Sequence, residues 1–142
     1  MRPASIIMFE RLYLGSVGIS VVSVVIGFQA IGADFAQEPG IAELGLGSGF
    51  LGAFMAIGLG ISLLLWWLIA YKASNVAKWI LIVLTGLGLI SVPGTFLGPW
   101  DAATILSLAS YALTIGAIVY LFADDAKAWF RGERSADPTA FD

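Results

Sequence analysis

Four stretches of this chain are apolar from end to end: Leu12 to Gly32, Gly49 to Tyr71, Val76 to Val92 with room to run on to Leu97, and Ala102 to Phe122. Apart from Lys78 at the entrance of the third, none contains Asp, Glu, Lys or Arg. Crossing the hydrocarbon core of a bilayer takes about 20 apolar residues as helix, within a range of roughly 17–25. Backbone in lipid must satisfy its own hydrogen bonds, and no strand-like alternation is present, so all four stretches read as helices. Composition points the same way: 59% of residues are apolar and 12% charged, where a soluble domain carries roughly 45–50% and about 25%. The sequence predicts an all-α integral membrane four-helix bundle, one domain over residues 1–142, with a polar tail from 123 to 142.

The connections fit this division. Ala33 to Ser48 (ADFAQEPGIAELGLGS) is polar and contains Pro and Gly, with room for a short interfacial helix around Gly40 to Leu46. Lys72 to Asn75 is a tight turn with Ser74 or Asn75 as N-cap, which makes helices two and three antiparallel neighbours. Asp101 is placed to cap helix four, while Pro93 either ends helix three or kinks it. After helix four, DDAKAWFR can prolong that helix into the headgroups, and the chain from Gly132 onward reads as a polar end. Arg2, a long apolar run and Ala30-Ile31-Gly32 also match the outline of a signal peptide. That run, at about 21 residues, exceeds the usual 7–15-residue apolar region, so an uncleaved first helix is expected.

Charge orients the bundle. Arg2, Arg11, Lys72, Lys78, Lys127, Arg131 and Arg134, all 7 basic residues, fall on one side of the four spans. The other side holds Asp34, Glu38, Glu43 and Asp101 and no basic residue. By the positive-inside rule both termini are cytoplasmic. Tyr13, Trp66, Trp67, Tyr71, Trp79, Tyr120 and Trp129 gather at the same boundary, as an interfacial aromatic belt does. Arg2, Arg11, Lys72, Lys78, Lys127 and Arg131 form a collar able to meet anionic lipid headgroups, although topology anchoring alone also explains them. The segment RPASIIMFER, apolar between its arginines, has the composition to lie in the interface before helix one enters the membrane, although topology anchoring alone is the preferred reading.

Within lipid, helices associate through small side chains and hydroxyl hydrogen bonds. Helix one carries Ser16, Ser20, Ser23, Gly27 and Ala30, and helix four carries Ala103, Ser107, Ser110, Thr114 and Ala117. Both series step by alternating fours and threes, which keeps each on one side of its helix. Helix two offers Gly45, Gly49, Gly52 and Ala56, together with the small series Gly52, Ala56, Gly60. Helix three, rich in Ile, Leu and Val, is expected to face lipid most. Two readings attach to the hydroxyl stripes. They form packing seams, or they line a polar path for water or a small solute; packing is preferred because small hydroxyls can share carbonyls within their own helix.

The chain offers little material for chemistry. Without His or Cys it has no thiol nucleophile, no disulfide and no imidazole ligand for haem or metal. Proton relays and ion-coupled transport rest on ionisable groups at membrane depth, and the span interiors hold none. Asp34, Glu38, Glu43 and Asp101 lack the spacing of a calcium loop, so they read as a solvated acidic rim. Paired carboxylates for acid–base work would need a pocket. Gly45-Leu-Gly-Ser-Gly49 lacks the lysine and preceding strand of a phosphate loop. The basic face sets seven positive against six negative side chains, too even a balance for nucleic acid. No cofactor, metal or nucleic-acid partner is expected.

Three landmarks stand together: Arg2-Pro3, Ser5 and FERLYL from Phe9 to Leu14; Ser62 to Trp67 and Ser74 to Trp79 around the second turn; and Ala126 to Phe130. On these the chain resembles small four-helix inner-membrane proteins of Gram-negative bacteria. The resemblance implies a bacterial inner membrane and brings no activity with it. The expectation is a non-enzymatic membrane protein that packs against itself or serves as an accessory subunit of a larger membrane complex. The alternative is a channel or uncoupled transporter for a small neutral or hydrophobic solute. A lipid-active enzyme would need a reacting constellation at an interface, and the acidic rim is the strongest on offer.

Overall fold

A computed structural model describes residues 2–98 and 100–132, so Pro99 and the tail beyond Gly132, Arg134 included, lie outside the described residues. The elements are α1 (Ala4–Gln37), α2 (Pro39–Glu43), α3 (Ser48–Lys72), α4 (Asn75–Leu97), α5 (Ala102–Tyr120) and α6 (Asp124–Phe130), with no strand among the described residues. Helices α1, α3, α4 and α5 are each long and apolar enough to cross a membrane. The first three contain the stretches read from the sequence, while α5 stops two residues short of Phe122.

Local chemistry sets the helix ends. Ala73 closes α3 in the left-handed region at φ 49°, and the Ser74 N–H reaches back to the Leu68 carbonyl at 3.0 Å, satisfying a carbonyl of the last turns. The Ser74 hydroxyl then accepts the Ala77 N–H at 3.2 Å and opens α4. Asp101 does the same for α5, taking the Thr104 N–H at 2.7 Å. Proline 93 does not end its helix, for α4 continues to Leu97. Its ring nitrogen has no proton to give to the carbonyl one turn earlier.

Two expectations need correction. The segment RPASIIMFER is not separate from helix one; from Ala4 onward it is the start of α1, which runs unbroken for 34 residues, a length of about 51 Å at 1.5 Å per residue. Ile6, Phe9 and Tyr13 recur at helical spacing and are buried, while Arg2 donates to the Glu10 carboxylate. The other correction concerns the chain after α5, which does not prolong that helix. Leu121, Phe122 and Ala123 bond three residues back, to Ile118, Val119 and Tyr120, a tightening typical of a helix end. Asp124 and Asp125 then open a separate helix, where acidic side chains suit the positive end of the dipole. The short helix of the first loop sits at Pro39–Glu43, close to its expected place.

Each long helix packs antiparallel against two others: α1 against α3 and α5, and α4 against the same two. Tyr13 donates to the Ser62 carbonyl at 3.3 Å and Phe35 stacks on Phe50 with centroids 6.2 Å apart, which fixes the antiparallel run of α1 and α3. The buried core lies at the end that carries Arg2 and α6. It joins Ile6 and Phe9 of α1, Leu65 and Ile69 of α3, Ala77 and Leu81 of α4, and Ala117 of α5. Leu121 and Ala126 close it from beyond α5. Away from this end the outward surface is apolar, with Val25, Ile26, Phe54, Ile57, Val83, Leu87 and Ile90 all exposed. A surface of this kind suits lipid rather than water.

Candidate functional site

The hydroxyl stripes of α1 and α5 face one another. Ser20 and Ser110 share a hydrogen bond of 2.6 Å, and the Ser110 hydroxyl donates to the Ser16 carbonyl at 2.9 Å. With the Ser110 proton so committed, Ser20 is the donor to it. One step along, Thr114 donates to the Ser16 hydroxyl at 3.0 Å, which itself donates to the Tyr13 carbonyl at 2.7 Å. In the other direction Ser23 lies 3.0 Å from the Ser107 hydroxyl and 3.0 Å from the Ala103 carbonyl, a carbonyl that Ser107 also reaches at 2.8 Å. Gly27 extends the seam; a Cβ there would stand 3.7 Å from that of Ala103. All six hydroxyls therefore have partners inside the chain, and Ser16, Ser23 and Ser110 are buried. Such a stripe holds two helices together and leaves no spare donor along it.

Helix α3 differs. A Cβ added at Gly52 or Gly60 would meet nothing within 4 Å, and Ala56 is exposed on the wall of a groove beside α1; Gly45 falls before α3 altogether, at φ +65°. Among the described residues no helix of this chain covers that smooth face. Beside it, α1 and α3 leave a groove of about 310 Å³ between them. Val17, Val21, Val24, Met55 and Leu59 line it, with Ser20 and Ser62 at its wall. Both hydroxyls are occupied, Ser62 by the Gly58 carbonyl at 3.0 Å.

The basic residues gather at the end where the core lies. Arg2 and Arg11 stand at the start of α1, Lys72 at the close of α3, Lys78 in the first turns of α4, and Lys127 with Arg131 on and after α6. Their surroundings differ. Arg2 pairs with Glu10 and lies 4.6 Å above the Tyr71 ring, Lys72 lies over Trp67 at 5.3 Å, and Lys127 pairs with Asp124 at 2.9 Å. Lys78 alone of the six is buried, its ammonium set among the rings of Trp79, Phe122 and Phe130. The sequence gives no signal for this cage, because Phe122 and Phe130 arrive through the break after α5.

Asp125 was equally hidden. Pro3, at the N-cap of α1, has no side chain to cap it, and Asp125 of α6 supplies one from 120 residues away, accepting the Ser5 N–H at 3.1 Å. That bond holds the Asp125 carboxyl below its ordinary range. Trp129 adds a second tie, donating to the Ile69 carbonyl at 3.4 Å. At the opposite end Asp34, Glu38, Glu43 and Asp101 are exposed, and no group of acidic residues among the described residues is arranged to hold a metal. The Asp101 carboxyl is likewise lowered by the Thr104 N–H it accepts. No family model, curated protein or solved structure matches this chain.

Proposed function

We propose that this protein is a non-enzymatic integral protein of a bacterial inner membrane, with both termini cytoplasmic, acting as an accessory or structural subunit of a membrane assembly or as a homo-oligomer. The observation that carries this reading is the closed seam between α1 and α5. The polar side chains of the bundle are spent on holding it together, so its means of acting on other molecules are its outward faces. The smooth ridge of Gly52, Ala56 and Gly60 is the face best suited to another helix, because small side chains let two backbones approach closely. The gathering of basic side chains at one end supports the orientation.

The absence of native cysteine makes the test direct. Single cysteines at Gly52 or Ala56 are expected to cross-link to a second chain in native membranes, and native mass spectrometry is expected to show a complex. A lipid-bound monomer without cross-links would overturn the proposal. A cysteine at Gly132 should react only with reagent from the cytoplasmic side, and one at Gly40 only from the opposite side. A second reading, a path for a small neutral or hydrophobic solute inside an oligomer, draws on the groove between α1 and α3. Solute flux into proteoliposomes, lost when Ser20 is replaced by Leu while assembly persists, would favour it.

A further inference from the structure

Lys78 is the anomaly of the basic end. It is 8% exposed, and no hydrogen bond or carboxylate partner is seen for it among the described residues. Its ammonium nitrogen lies instead 4.7 Å from the ring centroid of Phe130, 5.2 Å from Phe122 and 5.7 Å from Trp79. Ring faces attract a cation but do not neutralise it; the stem of Lys78 is buried while its nitrogen still reaches the surface, where an anion can meet it. Three separate elements, α4, the link after α5, and α6, hold it there. Lys127, one turn before Phe130 on α6, brings a second positive charge to the same edge. The missing complement is an anion.

The surface next to the cage says what the anion is attached to. Val76, Trp79, Ile80, Val83 and Leu84, all exposed, line a shallow, open and wholly apolar groove along the outer face of α4. The Trp79 ring belongs to both places, forming one wall of the cage and the head of the groove. Val76 lies above Trp79, and from Trp79 to Leu84 the groove descends about 8 Å along the helix, half of the roughly 15 Å of hydrocarbon in one leaflet. A charged head above and an apolar trough below, joined at one tryptophan, fit a molecule with the same two parts.

We propose that Lys78, with Lys127 beside it, binds the phosphate of one anionic phospholipid, one of whose acyl chains lies in the groove of α4. This deepens the membrane reading above and rests on it, but it requires neither a particular orientation nor any partner protein. It also separates Lys78 from Arg2, which already has a carboxylate, and a general collar would treat Lys72 and Lys78 alike.

The test uses the full chain in detergent micelles, titrated with phosphatidylglycerol or phosphatidylcholine and read by native mass spectrometry. One phosphatidylglycerol is expected to stay bound at detergent levels that strip phosphatidylcholine. Lys78→Gln should weaken it at least fivefold, Lys78→Arg should restore most of it, and Lys72→Gln should leave it unchanged. Ile80→Trp, which fills the groove and leaves Lys78 in place, should also weaken it, so the result does not hang on whether Lys78→Gln folds. Inorganic phosphate at millimolar concentration should not displace the lipid. Equal retention of the two lipids, equal effects of the Lys72 and Lys78 variants, or displacement by phosphate alone would each overturn the proposal. A reversed orientation in the labelling experiment would overturn the membrane reading and leave this binding result intact.

Discussion

Replacing Ser110 by Ala removes one oxygen from the middle of the α1–α5 seam, and the structure allows its cost to be worked out. The hydroxyl makes two interhelical bonds, one donated to the Ser16 carbonyl at 2.9 Å and one accepted from Ser20 at 2.6 Å. Interhelical hydrogen bonds in membranes average about 0.6 kcal/mol, so two amount to about 1.2 kcal/mol. Some of this returns, because the Ser20 hydroxyl, once released, can turn to a carbonyl of its own helix. The expected loss is about 1 kcal/mol, or roughly a fivefold shift of the folding equilibrium. The assay is SDS-driven unfolding in bicelles, followed by tryptophan fluorescence, in which Trp66 and Trp129 report on the packed end. A double-mutant cycle with Ser20→Ala isolates the shared bond, with an expected coupling of about 0.6 kcal/mol. If Ser110→Ala unfolds at the wild-type midpoint and the cycle shows no coupling, the seam is not what joins these helices.

Other outcomes follow from the helix ends. Asp125→Asn should release α6 from the start of α1 and cost about 0.5 kcal/mol, at the low end for a helix cap because the carboxylate is exposed; increased proteolysis between α5 and α6 measures it. Because folding lowers the Asp125 pKa, the contribution is complete above the ordinary aspartate value of 3.8 and is lost as the pH falls through the lower, folded value. Wild type and Asp125→Asn should therefore converge in acid, and a gap that widened there would contradict the assignment. Ala73→Gly should raise stability by about 1 kcal/mol, since φ 49° is strained for any residue with a Cβ; the SDS midpoint reads it. Phe9→Ala should cost about 3 kcal/mol or more through the cavity it leaves among the core residues of α1 and α3, read by the same midpoint.

What the sequence made legible was governed by length and periodicity. Four apolar runs are visible because lipid demands about 20 residues of them, and Ser74 and Asp101 are visible as caps because their side chains act three residues away. The 4-3-4-3 spacing of Ser16 through Ala30 marks a face, yet spacing carries no information about which helix lies opposite. The same limit applies to Gly52, Ala56 and Gly60, whose smooth face no helix covers among the described residues. The start of α1 escaped the hydropathy reading because Arg2, Glu10 and Arg11 interrupt the apolar run, although Ile6, Phe9 and Tyr13 already showed its buried stripe. The break at Leu121 to Ala123 contains neither Pro nor Gly, so nothing local announced it. Without that break neither the cap from Asp125 nor the cage around Lys78 can be foreseen.

The seam also imposes an order in time. It joins the first span made to the last: Ser23 and Ser107 are 84 residues apart, and at 5–20 residues per second a ribosome needs roughly 4 to 17 seconds to travel between them. Throughout that interval Ser16, Ser20 and Ser23 have no α5 to meet, and on the membrane reading proposed above their protons are held by carbonyls of their own helix. Closure then exchanges those internal bonds for shared ones, so the nascent chain remains an open set of helices until its fourth span has arrived.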